Sequence, residues 1–348
     1  MNGIGEVLHV LRISTGRTQT EVAEHLGITQ AAFSRYENDL REPDPDALVR
    51  IADAFGVTPE FLTHNFRAVG AVAANAHMRR QRTARPGDWR RVEARLNILR
   101  MHAAYIASRI PLDAANHVPS ISSESTTPAR AAQEVRSAWR LPIGPVRSLV
   151  RWLESAGVLI VEEDLHSPRI DGMSQWAGEA AVIIINSALP TDRKRMTLAH
   201  ELGHLVLHNQ ADSDTDVERE ANEFAAEFLM PEAVISSQLT RLTLGRLSDL
   251  KAEWGVSMQA LFERARGLGK ATGEDRVRFY RQLNSKGWKV HEPGSDTLPP
   301  EEPVLAASIG RQLADAGLTH HEIHLLIGAA DDAETPFEPK RTELRLIS

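Results

Sequence analysis

The sequence predicts a multidomain chain: an all-α amino-terminal domain, a helical connector, and an α+β domain that ends in a helical tail. Three observations carry this. At 348 residues the chain exceeds the length at which one hydrophobic core keeps growing. Its first sixty-odd residues are cut into short helical segments by explicit caps and turn signals. From Ala129 onward, short β-branched runs alternate with helical patterns.

Each element has its own signal. Thr18 with Glu21 forms a capping box that opens a helix through Leu26, and Gly27 stops it. Thr29 caps Gln30 to Asn38, Asp44 with Pro45 opens Asp46 to Phe55, and Thr58 with Pro59 opens a last short helix of the five expected. Arg85, Pro86 and Gly87 break an Ala- and Arg-rich stretch, Trp89 to Ile110 regains helical spacing, and Pro119 to Pro128 reads as a loop. Ala131 to Trp139 and Gly144 to Ala156 are expected helical, with Val158 to Glu162 and Ala180 to Asn186 as strands. Thr191 to His208 and Asp216 to Leu229 are helical, Met230 and Pro231 interrupt, and helices continue to about Leu283. After Gly294 an acidic, Pro-rich link leads to a helical pair over Val304 to Ala330, with Thr319 and Glu322 as another capping box.

Composition narrows the chemistry. With 40 Lys plus Arg against 47 Asp plus Glu, the net charge of −7 excludes a polycation that coats nucleic acid and leaves only a regional DNA contact. There is no cysteine, so disulfides, thiol nucleophiles and Cys-based zinc sites are excluded; a metal must use His, Asp or Glu. Apolar runs such as Ala180 to Ile185 are far short of a membrane span and the amino terminus lacks a signal pattern, so a cytoplasmic protein without membrane contact is expected.

Two helices joined by Gly27-Ile28-Thr29 form the geometry that lets the second lie in a DNA major groove. The start of that second helix carries Gln30, Ala31, Ser34 and Arg35, where Gln pairs with adenine and Arg with guanine. Gln19 opens the preceding helix and suits a phosphate contact. Asp39, Glu42, Asp44 and Asp46 oppose a phosphate backbone unless Arg12, Arg17, Arg41, Arg79, Arg80 and Arg82 offset them. The string from Thr18 to Val57 resembles the Xre/Cro/C1 family of helix-turn-helix domains, with Ala31 standing where relatives often carry a polar side chain. The partners this implies are a double-stranded operator and a second copy of the chain, since a two-fold pair reads a palindrome; a module serving dimerisation alone is the other reading.

The segment His200-Glu201-Leu202-Gly203-His204 decides the chemistry of the second half. Four residues make just over one helical turn, so His200 and His204 share a face and can hold one metal, with Glu201 beside it as general base. Two imidazoles with a carboxylate favour zinc, and a hydrolytic site takes three protein ligands and leaves one position open. Glu218 is the candidate third ligand and Asn222, four residues on, the candidate support for a ligating histidine; Glu220 is the reserve ligand. His208 lies eight residues past His200, about 12 Å along an intact helix, so it is read as a structural histidine or an active-site polar group, not a ligand. His320, His321 and His324 are read as a solvated face. The strand Ala181 to Asn186 is expected either at a sheet edge, where it aligns an extended peptide, or as plain core.

The Glu218–Asn222 spacing resembles the gluzincin arrangement. Thr197 to His208, Glu218 to Pro231 and the region of Val256 to Met258 together resemble the ImmA/IrrE family of zinc metallopeptidases, over about residues 136–293. That resemblance implies a peptidase that cuts an Xre-type repressor in a bacterial stress or mobile-element circuit, and includes fusions to an Xre domain. The expected fold is therefore an all-α helix-turn-helix domain over 1–66, a connector over 67–128, an α+β gluzincin-like zinc metallopeptidase domain over 129–293 and a helical C-terminal tail over 294–348. The alternative is a transcription factor whose second domain is a non-catalytic sensor or dimerisation module.

Overall fold

The computed structural model describes residues 4–66, 85–110, 114–123, 125–178, 180–208 and 216–338. Arg79, Arg80 and Arg82 lie outside them. Five helices open the chain: α1 (Gly5–Thr15), α2 (Gln19–His25), α3 (Gln30–Glu37), α4 (Pro45–Phe55) and α5 (Pro59–Thr63). Their starts follow the caps. Thr18 and Glu21 satisfy both halves of a capping box, and Thr29, Asp44 and Thr58 each accept the backbone N–H three residues on. Gly27 closes α2 at φ +66°, a left-handed conformation that only glycine adopts without cost.

Helix α6 (Pro86–Ala107) is apolar on two faces and is buried on both. Ala94, Ile98, Met101 and Tyr105, spaced four, three and four apart, pack with Leu8, Leu11, Phe33 and Phe61 of the amino-terminal domain. Val92, Leu96, Leu99, Ala103 and Ile106, offset around the axis, pack against the sheet. The connecting helix is therefore part of two cores.

The sheet has three strands, β1 (Val158–Glu163), β2 (Gly172–Ala177) and β3 (Ala180–Asn186), in the order β1-β3-β2. β1 runs parallel to β3, with Val158 opposite Ala181, and β2 runs antiparallel to it, with Ser174 opposite Ile183. The expectation of an edge strand at Ala181 to Asn186 is corrected here: β3 is central and bonded on both sides, so it has no free edge for a peptide. Its unbroken run of apolar residues is the mark of a strand buried on both faces. The reading of Gly144 to Ala156 as one helix is also shortened. Helix α8 spans only Leu149–Ser155, because Pro145 lies upstream and Ser148 takes a left-handed φ of 53°.

One sheet face, with Ile160, Ala181, Ile183 and Ile185, packs on α7 (Pro128–Ala138), α8, α9 (Thr191–Leu207) and α10 (Val217–Leu229). The other, with Leu159, Val161, Val182 and Ile184, is covered by α6, α15 (Leu305–Asp315) and α16 (His320–Ile327). The first face's core extends to α11 (Glu232–Ile235), α12 (Leu244–Trp254), α13 (Met258–Gly267) and α14 (Gly273–Ser285), which follow α10 in the chain. The carboxy-terminal segment is held by buried Lys251, which bonds Asp192, Glu292 and Ser295. It also meets the amino-terminal domain: Thr58 N donates to Gly328 O at 3.1 Å and Ala330 N to Gly56 O at 3.0 Å. No helix among the described residues is long and apolar enough to cross a membrane.

Candidate metal centre and nucleic-acid interface

His200 and His204 stand one turn apart on α9 and face α10, which brings Glu218 to them. His200 Nε2 and His204 Nε2 are 3.0 Å apart, Glu218 Oε1 is 3.3 Å from His204 Nε2, and Glu218 Oε2 is 3.7 Å from His200 Nε2. Donor atoms about 2.1 Å from one tetrahedral ion stand about 3.4 Å from each other, so these three groups fit a zinc-sized cation in spacing as well as in donor type. His204 is fully buried and Glu218 nearly so, while the His200 side chain keeps 12% of its surface exposed and marks the open side.

The close approach of α10 has a local cause. A Cβ on Gly203 would stand 3.1 Å from Phe224 Cδ1 and 3.2 Å from both Ala221 Cα and Ala221 O. The glycine in the middle of the histidine pair thus lets the helix carrying Glu218 settle against α9.

Glu201 is buried on the sheet side, where Ser174 Oγ of β2 donates to its Oε2 at 2.7 Å. Burial pushes this carboxyl up to about 8; the Ser174 bond pulls against that, and the nearby Glu218 and Asp171 carboxylates add to it. A cation at the donor cluster acts in the opposite sense. Gly172 lets β2 pass close to α9, since a Cβ there would meet Ile184 O at 2.9 Å and Thr197 Cγ2 at 3.1 Å. The sequence reading missed β2 and with it Ser174. Gly172-Met173-Ser174-Gln175-Trp176 carries no apolar–polar alternation, because the consecutive polar residues Ser174 and Gln175 are both buried.

His208 ends α9 and folds back on the site. Its Nδ1 lies 3.0 Å from His204 Nδ1, and its Nε2 lies 3.1 Å from Glu220 Oε2. Burial lowers the pKa of His208, opposed by Glu220 and then Glu218. Glu220, the reserve ligand of the sequence reading, is thus the partner of His208. Asn222, expected against a histidine, instead donates from Nδ2 to Glu218 O at 2.6 Å, one helical turn back along its own helix. The support of a ligating histidine expected of Asn222 is given, at His204, by His208.

On the amino-terminal domain, Gln30, Ala31 and Arg35 are exposed along one face of α3 and Ser34 is half-buried beside them. Gln30 Nε2 donates to Gln19 Oε1 at 2.7 Å, and Gln19 Nε2 donates to buried Glu37 at 3.3 Å. Arg12 grips Glu37 through two nitrogens at 2.6 and 2.8 Å, so its guanidinium is engaged inside the domain instead of being presented to a phosphate. Burial alone would raise the Glu37 carboxyl, but the bonds from Arg12 and His9 hold it down at about 2. Two of the acidic groups expected to repel DNA are also engaged: Asp39 accepts from Gly5 N and Asp44 caps α4.

Fold and site together define a helix-turn-helix domain joined to a metallopeptidase-type domain with an HExxH helix. Comparison with known proteins agrees at the level of domains. Residues 4–64 match the family model of a helix-turn-helix domain, and residues 153–266 match that of the IrrE N-terminal-like domain of peptidase M78. The chain carries both domains. It is 37% identical over 59 residues to the HTH-type transcriptional regulator ImmR of Bacillus subtilis, covering 17% of this chain and 46% of ImmR. It is 41% identical over 76 residues to the radiation response metalloprotease IrrE of Deinococcus radiodurans, covering 18% of this chain and 23% of IrrE. It is 38% identical over 58 residues to YonR, an SPbeta prophage-derived uncharacterized HTH-type transcriptional regulator of Bacillus subtilis, covering 17% and 54%. The chain thus spans about half the length of the two regulators and about a quarter of the metalloprotease.

Proposed function

We propose that this protein is a cytoplasmic DNA-binding regulator with a zinc-dependent endopeptidase domain that cuts a repressor-type protein. The observation that carries the peptidase half is the cluster of His200, His204 and Glu218 with Glu201 beside it. When bound, zinc supplies Lewis acidity toward a peptide carbonyl and makes a water more acidic. Glu201, buried beside the donor cluster, takes the proton of the attacking water and returns it to the leaving amine. Ser174 fixes the orientation of that carboxylate. The Glu220–His208–His204 chain holds the His204 ring through Nδ1 and leaves Nε2 for the ion.

The DNA half rests on the exposed face of Gln30, Ala31, Ser34 and Arg35, with Gln19 orienting Gln30, and reads an operator as a homodimer. The substrate is an extended segment, such as the interdomain linker of another helix-turn-helix repressor, because a folded domain offers few others. Glu201→Gln keeps the donors of the metal and removes the base. Loss of cleavage of Xre-type repressors from the same genome, with zinc content and DNA binding retained, is the expected result. Intact regulation in cells carrying Glu201→Gln would instead establish the second domain as a sensor without turnover.

A further inference from the structure

A second cluster of histidine and carboxylate lies about the first turn of α16, away from α9. His320 and His324 are one turn apart with their rings stacked at 4.1 Å. His324 is fully buried, and its Nδ1 is 2.6 Å from Ala330 O; a carbonyl only accepts, so Nδ1 carries a proton, and in the neutral ring Nε2 has the lone pair that a cation takes. That Nε2 is buried and makes no hydrogen bond among the described residues, its polar neighbour being the Glu338 carboxylate. Glu338 Oε1 lies 3.3 Å from His324 Nε2 and 3.9 Å from His320 Nε2. One donor atom each of His320, His324 and Asp331 also fall within 4.8 Å of one another.

The donor types are those of the first cluster, and the separations are somewhat wider than its 3.0 to 3.7 Å, within what a small side-chain adjustment closes around an ion. The backbone bond at Nδ1 is the arrangement that fixes a ligating imidazole. We infer that His320, His324 and a carboxylate of Glu338 or Asp331 form a second divalent transition-metal site, which takes zinc or a close neighbour. The expectation of a solvated histidine face holds for His320 and His321, both exposed, the latter bonding Asp331, but not for buried His324. The positive end of the α16 dipole opposes a cation here, so the carboxylates are required and the site is weaker than the one on α9.

The site is placed to act on the seam between domains. Ala330, whose carbonyl accepts from His324, donates its own N–H to Gly56 of the amino-terminal domain, and Gly328 O accepts from Thr58 N. A metal that ties Glu338 or Asp331 back to α16 fastens the turn on which that domain docks.

The test is a Zn2+ titration of chelator-stripped full-length protein against a competing indicator. Wild type should take two equivalents per chain. His320→Ala, which alters a mostly exposed side chain, should take one, whereas His321→Ala should still take two. His200→Ala should retain one equivalent, lost when His320→Ala is added. Were the α9 centre not a metal site, His200→Ala would change nothing and His320→Ala would still remove an equivalent, so the two assignments fail separately. A stoichiometry that His320→Ala leaves unchanged overturns the site. Zn2+ should also slow amide exchange at 56–58 and 328–330 in His200→Ala protein and not in the double variant; equal exchange in both overturns the fastening role.

Discussion

Gly203 lies directly against Ala221, where an added Cβ would come within 3.2 Å of the Ala221 Cα and carbonyl oxygen. This contact sets the distance between the helix that carries the two histidines and the helix that carries Glu218. Backbone atoms cannot swing aside as a flexible side chain does. Gly203→Ala should therefore push α10 outward by a few tenths of an ångström, at a cost of about 1–3 kcal/mol for overpacking, against which better helix propensity returns about 1 kcal/mol. Zinc retention should fall with it, and Gly203→Val should be worse on both counts. Thermal unfolding and zinc titration of the two variants check this; wild-type values in both would mean that the glycine does not set the helix spacing.

The chain from Glu220 through His208 to His204 gives a second expectation. Glu220→Gln weakens the acceptor behind His208 without touching the donor cluster, so zinc affinity should drop by about 10–100-fold. Glu218→Gln should weaken it much further, because a neutral amide replaces a charged donor. The reverse ranking in competitive zinc binding would reassign the third ligand to Glu220.

His102 on α6 stacks on Phe61 of the amino-terminal domain and bonds Ile327 O of α16. Burial lowers its pKa to about 4, opposed by the Ile327 bond and aided by Arg95. The folded state then binds fewer protons than the unfolded state between about pH 4 and 6.5. Its contribution is fully present above about 6.5 and is lost as the pH falls toward 4, amounting to at most about 3 kcal/mol. Glu37, held at about 2, loses its own contribution lower, between about 4.5 and 2. Urea unfolding from pH 4 to 7 should show a slope that His102→Gln flattens; an unchanged slope would place the acid sensitivity elsewhere.

The helices were legible because their caps are local: Thr18, Thr29, Asp44, Thr58 and Thr319 each bond a backbone N–H three residues away in the same short segment. The grouping of His200 and His204 is legible for the same reason, since helical spacing alone brings them to one face. What escaped depends on contacts across the chain. β2 carries Ser174 on a buried face because Glu201 stands opposite, so polarity hides the strand pattern. The place of β3 depends on which strands flank it: β1 pairs in parallel after a crossover, and β2, its hairpin neighbour, is the strand the sequence pattern did not give. Asn222 and Glu220 sit two residues apart on one helix, and only the rotation of α10 against α9 decides which of them meets a histidine.

The amino-terminal face supplies the last prediction. Arg12 holds Glu37, Glu37 accepts from Gln19, and Gln19 accepts from Gln30, so the amide proposed to face a base is set by a chain that begins inside the domain. Gln19→Ala removes the middle of that chain and leaves Gln30 free to rotate. Its effect should therefore fall on the same base pair as Gln30→Ala, and the double variant should be less than additive, with a coupling of about 0.5–3 kcal/mol. Arg35 is exposed one turn further along α3. Arg35→Ala should cost about 1–3 kcal/mol on the specific operator, relax a different position, and add to Gln19→Ala without coupling. Operator binding at fixed salt, with each half-site position varied in turn, reads all of these. Additive effects of Gln19→Ala and Gln30→Ala would mean that Gln19 contacts the DNA on its own account, as a phosphate ligand.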